Sequence, residues 1–404
     1  MSELETFENA SPIEPETPAK KAFASPSRTA GYSSQPIKAP APARGEVRFS
    51  IYGQRVRLIG PVALTQDLAE DFSYFVTAAG QRPAPAADLT IEIRQHKFII
   101  KPEKFFKTKN YTIYGRSLQR YVEYEDGSKV IVTHNLVDGR LVSIMAHEAA
   151  RSYELAYLVL HSFVGEKLEA RGLLRLHALA FNRQNCDVIL FLPSGGGKSS
   201  LAAMMLKRPD CQIYSDEVTL LENSCLRPYP WRIGLDQKSA SKLGPALGLD
   251  TTHSRTAQRT DGRAKYLLPI PTEKIASPAN EPAEINTNDD TTLTTTPNIY
   301  WGVLNLVANN ADQKGEPVVR LALFKEKLQF LTSVVLGLGL MQMAEYIVRT
   351  DNFQQMIRTG FRRLIWALKA VRSLRVIEVT RDYDKVLSVL GEDLATKPHH
   401  QPNT

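Results

Sequence analysis

Three glycines, a lysine and two serines follow one another at Gly195, Gly196, Gly197, Lys198, Ser199 and Ser200, directly after Leu192, Pro193 and Ser194. Residue types in this order suit the binding of phosphate. Glycines adopt positive φ angles without steric cost and so turn successive backbone N–H groups toward one anion. The helical stretch that follows, SSLAAMML, aims the positive end of its dipole at the same point. Lys198 would place a point charge on the β- and γ-phosphates of a nucleotide, and the Ser199 hydroxyl would complete the coordination of Mg²⁺. The pattern for such loops is G-x-x-x-x-G-K-[ST]. Gly197, Lys198 and Ser199 fill its last three positions, but Leu192 occupies the first. A glycine there shapes the turn and carries no charge, so its replacement is a geometric penalty, smaller than losing Lys198. The competing reading is a glycine-rich strand-to-helix turn with an exposed lysine. The apolar strand before the loop and the helical run after it favour phosphate.

Phosphoryl transfer also needs a carboxylate for the metal, and often a second one for the proton of the attacking hydroxyl. YSDEVTLL offers Asp216 and Glu217 at the end of a strand, one strand-helix-strand unit beyond the loop. Alone, such a pair is a turn or a cap; behind a glycine-lysine-serine loop it becomes a candidate metal and base pair. His177 opens the hairpin before the loop, where a lone histidine is ordinarily a core or turn residue. Arg232 and Lys265 could neutralise phosphate charge, but each also fits an ordinary surface cation. In NFQQMIRTGFRRLIWALKAVRSLR, six cations (Arg358, Arg362, Arg363, Lys369, Arg372, Arg375) accompany an apolar stripe of Ile357, Phe361, Leu364, Ile365, Leu368 and Val371. A basic amphipathic helix can dock on membranes or acidic partners. Because a further strand and helix follow, the expectation is a solvated outer face of the domain.

The elements that position these residues follow from periodicity. Apolar runs at Leu176 to Phe181 and Val188 to Leu192 flank a polar turn and predict an antiparallel hairpin whose second strand feeds the loop. A helix over Ser199 to Lys207 comes next, then strands at CQIYS and VTLLE. Later strands are expected at AKYLLPI, IYWGVLNLVA, VVRLALF and LRVIEVT, with helices over 327–349, 352–372 and 383–391. Upstream, VRFSIYGQRVRLIG alternates like a hairpin, and RYVEYEDGSKVIVTHN does so about Asp126-Gly127. DLTIEIRQHKFIIK repeats the alternation. TQDLAEDFSYFVTAAG predicts one helix opened by a polar cap, and a long helix is expected from Ser143 to Arg171.

The fold class expected is α/β (α+β), a P-loop domain with a mixed sheet behind a small α+β domain. The boundaries are a disordered Pro/Ala/Ser-rich tail over 1–45, the small domain over 46–140, a connecting helix over 141–174 and the nucleotide-binding domain over 175–395. A flexible insertion is expected at 276–298. The 404 residues suffice for two cores, and a net charge of +7 does not by itself argue for nucleic acid. Cys186, Cys211 and Cys225 have no metal-like spacing and suit a reducing compartment. With no signal-peptide pattern and no apolar run long enough to span a bilayer, the expected setting is the cytoplasm.

Taken in order, LHALAFN, LPSGGGKSS, LAAMML and YSDEV resemble the catalytic domain of HPr kinase/phosphorylase and its smaller relatives. These are serine kinases whose P-loop, of the phosphoenolpyruvate-carboxykinase type, follows an antiparallel hairpin. The resemblance runs from His177 to about Leu221, with a further echo in RVIEVTRDYDKVLSVL. It implies that Ser194 to Ser200 bind the triphosphate of ATP and that Asp216 or Glu217 is the base for a serine hydroxyl. The other acid would help Ser199 hold Mg²⁺, and His177 would orient the acid. Kinases of this type are often oligomers. The acceptor implied is a peptide or protein serine. The alternatives are a nucleotide-binding regulatory module with little or no kinase activity, and a small-molecule kinase or carboxykinase-like enzyme.

Overall fold

The computed structural model describes residues 43–77, 87–94, 104–107, 111–114, 119–135, 139–193, 195–248, 254–258, 264–276, 297–304, 317–336, 353–380 and 382–396. It is a mixed α/β structure of several sheets and, among the described residues, seven α-helices. The tail expected over 1–45, as far as residue 42, and most of the insertion expected at 276–298 lie outside the described residues.

The first sheet has eight strands: β1 (Arg44–Ile51), β2 (Gln54–Pro61), β3 (Leu89–Ile93), β4 (Lys104–Lys107), β5 (Tyr111–Tyr114), β6 (Gln119–Tyr124), β7 (Lys129–Asn135) and β8 (Gly139–Met145). Their order is β1-β2-β3-β8-β7-β6-β5-β4, with β3 parallel to both of its neighbours. Alternation explains β1 and β2. Phe49, Ile51, Val56 and Leu58 point into a core, while Arg48, Arg55 and Arg57 face out and pair with Glu46 and Asp88. Tyr52 and Gly53, both at positive φ, close this hairpin in two residues. Helices α1 (Val62–Asp71) and α2 (Ala149–Ala170) cover the sheet. α2 is buried almost all round, as a helix packed on several sides must be.

The chain then leaves α2 through β9 (Leu174–Leu176), β10 (Leu179–Arg183), β11 (Cys186–Phe191), α3 (Lys198–Met205), β12 (Cys211–Ser215), β13 (Thr219–Glu222) and β14 (Cys225–Arg227). Next come β15 (Ile233–Leu235), α4 (Gln237–Leu247), β16 (Thr256–Gln258), β17 (Ala264–Leu268) and β18 (Asn298–Leu304). It ends with β19 (Val319–Leu321), α5 (Phe324–Leu336), α6 (Phe353–Ala370), β20 (Arg375–Val379) and α7 (Tyr383–Thr396). The six-stranded sheet runs β12-β10-β11-β18-β20-β19. β10 is antiparallel to β11 and β12, whereas β11, β18 and β20 are mutually parallel neighbours. One face carries α3 and α7, the other α5 and α6. Two three-stranded sheets, β14-β13-β9 and β15-β17-β16, flank it.

Several expectations change. β1 starts at Arg44, inside the span assigned to a tail. The predicted capped helix at Thr65 begins three residues earlier, behind Pro61, and Thr65 sits inside it with its hydroxyl donating to the Val62 carbonyl at 2.8 Å. After Asp71 that helix gives way to a single 3₁₀ turn, Ser73–Phe75. Ser143 belongs to β8, so the long helix starts at Ala149. The apolar run Leu176 to Phe181 is split between two sheets, with His177 at the corner. α4 was not anticipated; it is capped by Asp236, which accepts from the Ser239 N–H at 2.7 Å, and contains Pro245.

Candidate functional site

The glycine loop sits between β11 and α3, over the ends of β11 and the parallel β18. Gly197 caps α3 in the left-handed conformation at φ 85°, and a Cβ there would meet the Tyr383 hydroxyl at 2.6 Å. Only glycine satisfies both demands. No side chain caps α3, so the N–H groups of its first turn are open to an anion. Ser194 lies outside the described residues. Ser200 is buried and its hydroxyl donates to Ser239 Oγ at 3.1 Å.

Leu192 is a core residue, packed with Leu190, Tyr300 and Val379. It abuts β18, where the register Phe191↔Trp301 brings it beside Gly302. A Cβ on Gly302 would lie 2.1 Å from Leu192 Cδ2. The glycine absent from the loop start is therefore matched by one in the neighbouring strand, which yields the volume that Leu192 takes.

Four of the predicted residues come together. Lys198 Nζ is 3.0 Å from His177 Nε2, and His177 Nδ1 is 3.0 Å from the Glu217 carbonyl oxygen. Since a carbonyl only accepts, Nδ1 carries the proton and Nε2 accepts from Lys198. Burial, then the Lys198 charge, brings the His177 pKa down to about 4, which keeps the ring neutral. Lys198 is itself lowered by burial, against the opposing pull of Asp216 and Glu217.

Asp216 and Glu217 follow β12 directly and behave differently. Asp216 is buried at 3% exposure and its Oδ1 has no hydrogen-bond partner. Burial raises its pKa to about 6, opposed by Lys198 and a hydrogen bond with Ser199, and reinforced by Glu217. Burial works to raise Glu217 too, but Lys265 first and then other positive charge outweigh it, leaving the pKa at about 2.

Lys265 is thus not an ordinary surface cation. It is half-buried on β17 and its charge acts on His177, Lys198, Asp216 and Glu217 alike. Its stem passes Gly234 of the adjacent β15 so closely that a Cβ there would be 2.8 Å away. Arg232 is also misread as a surface residue: it is buried, pairs with Glu154 at 2.6 Å, and stacks on Tyr157 at 3.8 Å. Two α2 residues that sequence reasoning passed over complete the surroundings. Burial, then the Glu217 charge, raises the Tyr157 hydroxyl well above its usual range. The His161 ring packs edge-on against Trp231 at 4.2 Å and helps lower Glu217. Neither has a motif, since both read simply as core positions of α2.

Among the described residues, no group of three or more His, Cys, Asp and Glu side chains is placed to hold a metal. Mg²⁺ does not require one, because it takes one or two carboxylates and fills its shell with phosphate oxygens and water. The unpartnered Asp216 Oδ1 and the adjoining Ser199 hydroxyl are oxygen donors of that kind. No helix among the described residues is long and apolar enough to cross a membrane. No protein-family model and no curated protein matches this chain.

Proposed function

We propose that this chain binds ATP with Mg²⁺ at the Gly195–Ser199 loop and transfers the γ-phosphate to a serine hydroxyl of a peptide or protein. The observation that carries this reading is the buried Asp216 carboxylate, whose Oδ1 has no hydrogen-bond partner, beside Ser199 and Lys198 at an uncapped helix N-terminus. Support for a fold of the HPr-kinase type comes from the antiparallel β10–β11 hairpin that leads into the loop and from the parallel strand on its other side.

The loop amides and the α3 terminus bind phosphate oxygens, and Lys198 turns from His177 Nε2 to the β- and γ-phosphates. Ser199 and Asp216 would hold Mg²⁺, which supplies charge neutralisation on the phosphates. Lys265 adds a second cation. Glu217, kept ionised, orients the acceptor hydroxyl and takes its proton as the phosphoryl group departs. His177 fixes the Glu217 backbone through Nδ1 and is the positioning residue.

One observation favours a nucleotide-binding regulatory module without transfer. A carboxylate held at about 2 is a weak proton acceptor. The two readings separate in a pair of assays. Isothermal titration with ATP and Mg²⁺ measures binding in wild type, Glu217→Gln and Lys198→Ala, and radiolabelled ATP with serine peptides measures transfer. A kinase keeps affinity in Glu217→Gln and loses turnover at least a hundredfold. If wild type binds ATP but labels no serine substrate, the module reading replaces the kinase.

A further inference from the structure

We propose that the outer face of α5 and α6 is a docking surface for a membrane rich in anionic lipid. α6 exposes much of its apolar surface. Its inward residues are Thr359, Arg363, Ala367 and Ala370, all buried. Trp366 packs inward against Phe191 and Phe330, but four other large apolar side chains, Ile357, Phe361, Ile365 and Leu368, spaced by four, four and three, form one stripe that faces out, with Phe361 61% exposed. The neighbouring α5, which packs against α6, repeats this with Phe324 at 83% and Leu328 at 56%. Scattered exposed apolar residues are normal, but a patch continuous over two helices marks an interaction site.

The charge beside this patch selects the partner. Arg358, Lys369 and Arg372 are exposed next to the α6 stripe, and Lys325 is exposed on α5. The sequence from Phe353 to Ile377 contains no acid. The one acid of α5, Glu326, is buried and bound to Arg320 at 2.6 Å. Every exposed charge on the two helices is therefore positive. A second copy docked across a two-fold axis would set this all-cationic face against an identical one, with no acid on either to pair. A lipid surface has no such conflict. The apolar stripe sinks to the headgroup boundary while the cations meet lipid phosphates. The association is peripheral, since no described helix is long and apolar enough to cross. The inference is independent of the nucleotide reading.

The test is co-sedimentation of the full chain with vesicles of phosphatidylcholine alone or with about a third phosphatidylglycerol. Phe361→Glu, Arg358→Glu and Lys369→Glu are run beside wild type, each checked by its melting curve for an intact fold. Expected are binding to the anionic vesicles only and its loss in high salt. Each charge reversal removes one cation and adds an acid, so it should lower partitioning by more than about fivefold, and Phe361→Glu should lower it at least as far. Equal binding to both vesicles, or to neither, overturns the proposal. So does concentration-dependent self-association that Phe361→Glu abolishes, which would assign the face to a second copy.

Discussion

Two clusters of charge among the described residues, one fully buried and one partly so, are built on opposite terms. In the first, Glu169 at the end of α2 receives Arg175 of β9 at 2.9 Å and Arg363 of α6, and the three side chains are 0–2% exposed. The carboxylate is shared by two guanidinium groups, and three elements are tied together. In the second, His177, Lys198, Asp216, Glu217 and Lys265 meet around a glycine loop, yet Asp216 Oδ1 has no partner. The pKa values of two adjacent acids are driven to about 6 and about 2. A buried cluster whose carboxylate is shared between guanidinium groups holds a fold together. One whose buried carboxylate oxygen is left without a partner is a place where something binds.

Substitutions should separate the clusters by sign. Glu169→Ala leaves two buried guanidinium groups facing each other, and denaturant unfolding should report a loss of about 3–5 kcal/mol. A loss below about 1 kcal/mol would break the comparison on the structural side. Asp216→Asn should do the reverse. The folded pKa of Asp216, about 6, lies above the ordinary aspartate value of 3.8. The folded protein therefore bears a penalty of about 3 kcal/mol above pH 6 in the absence of ligand, relieved as pH falls toward 4. The variant should be more stable than wild type by up to that amount at pH 8 and equal to it near pH 4, by urea titration across pH. A variant less stable than wild type at pH 8 would place Asp216 among the structural charges.

A smaller effect sharpens the boundary between loop and core. Gly302→Ala should cost about 1–3 kcal/mol by crowding Leu192, and combining it with Leu192→Ala should cost clearly less than the sum of the two single changes. Additive costs in that double-mutant cycle would mean that the two positions do not share one volume.

Much of this was legible in the residues. The hairpin, loop, helix and acidic strand end from Leu179 to Glu222 follow from local periodicity and glycine chemistry, and β17, β18, β19 and β20 occur where apolar runs predicted them. Elsewhere the local signal was outweighed. Ser143 to Met145 reads as helix by composition but is claimed by the edge of β7. α4 hides behind a glycine, a proline and few apolar residues. In α6 the period identified the stripe correctly but not its direction. The inner side is filled by small residues and by Arg363, whose charge is met by Glu169 from far along the chain. Lys265 escaped for the same reason, because its partners come from β12, α3 and the β9–β10 corner and share no spacing with it. Leu192 looked like damage to the loop until β18 supplied the matching glycine.

The central claim is that the under-satisfied cluster is a nucleotide-phosphate site. The most direct measurement is thermal unfolding of the full chain with ATP and Mg²⁺ at about 100 times the dissociation constant, in wild type and Lys198→Ala. Wild type should be stabilised by about 3 kcal/mol, a shift of several degrees, and Lys198→Ala should show none. An unmoved wild-type curve, or an equal shift in the variant, would contradict the account.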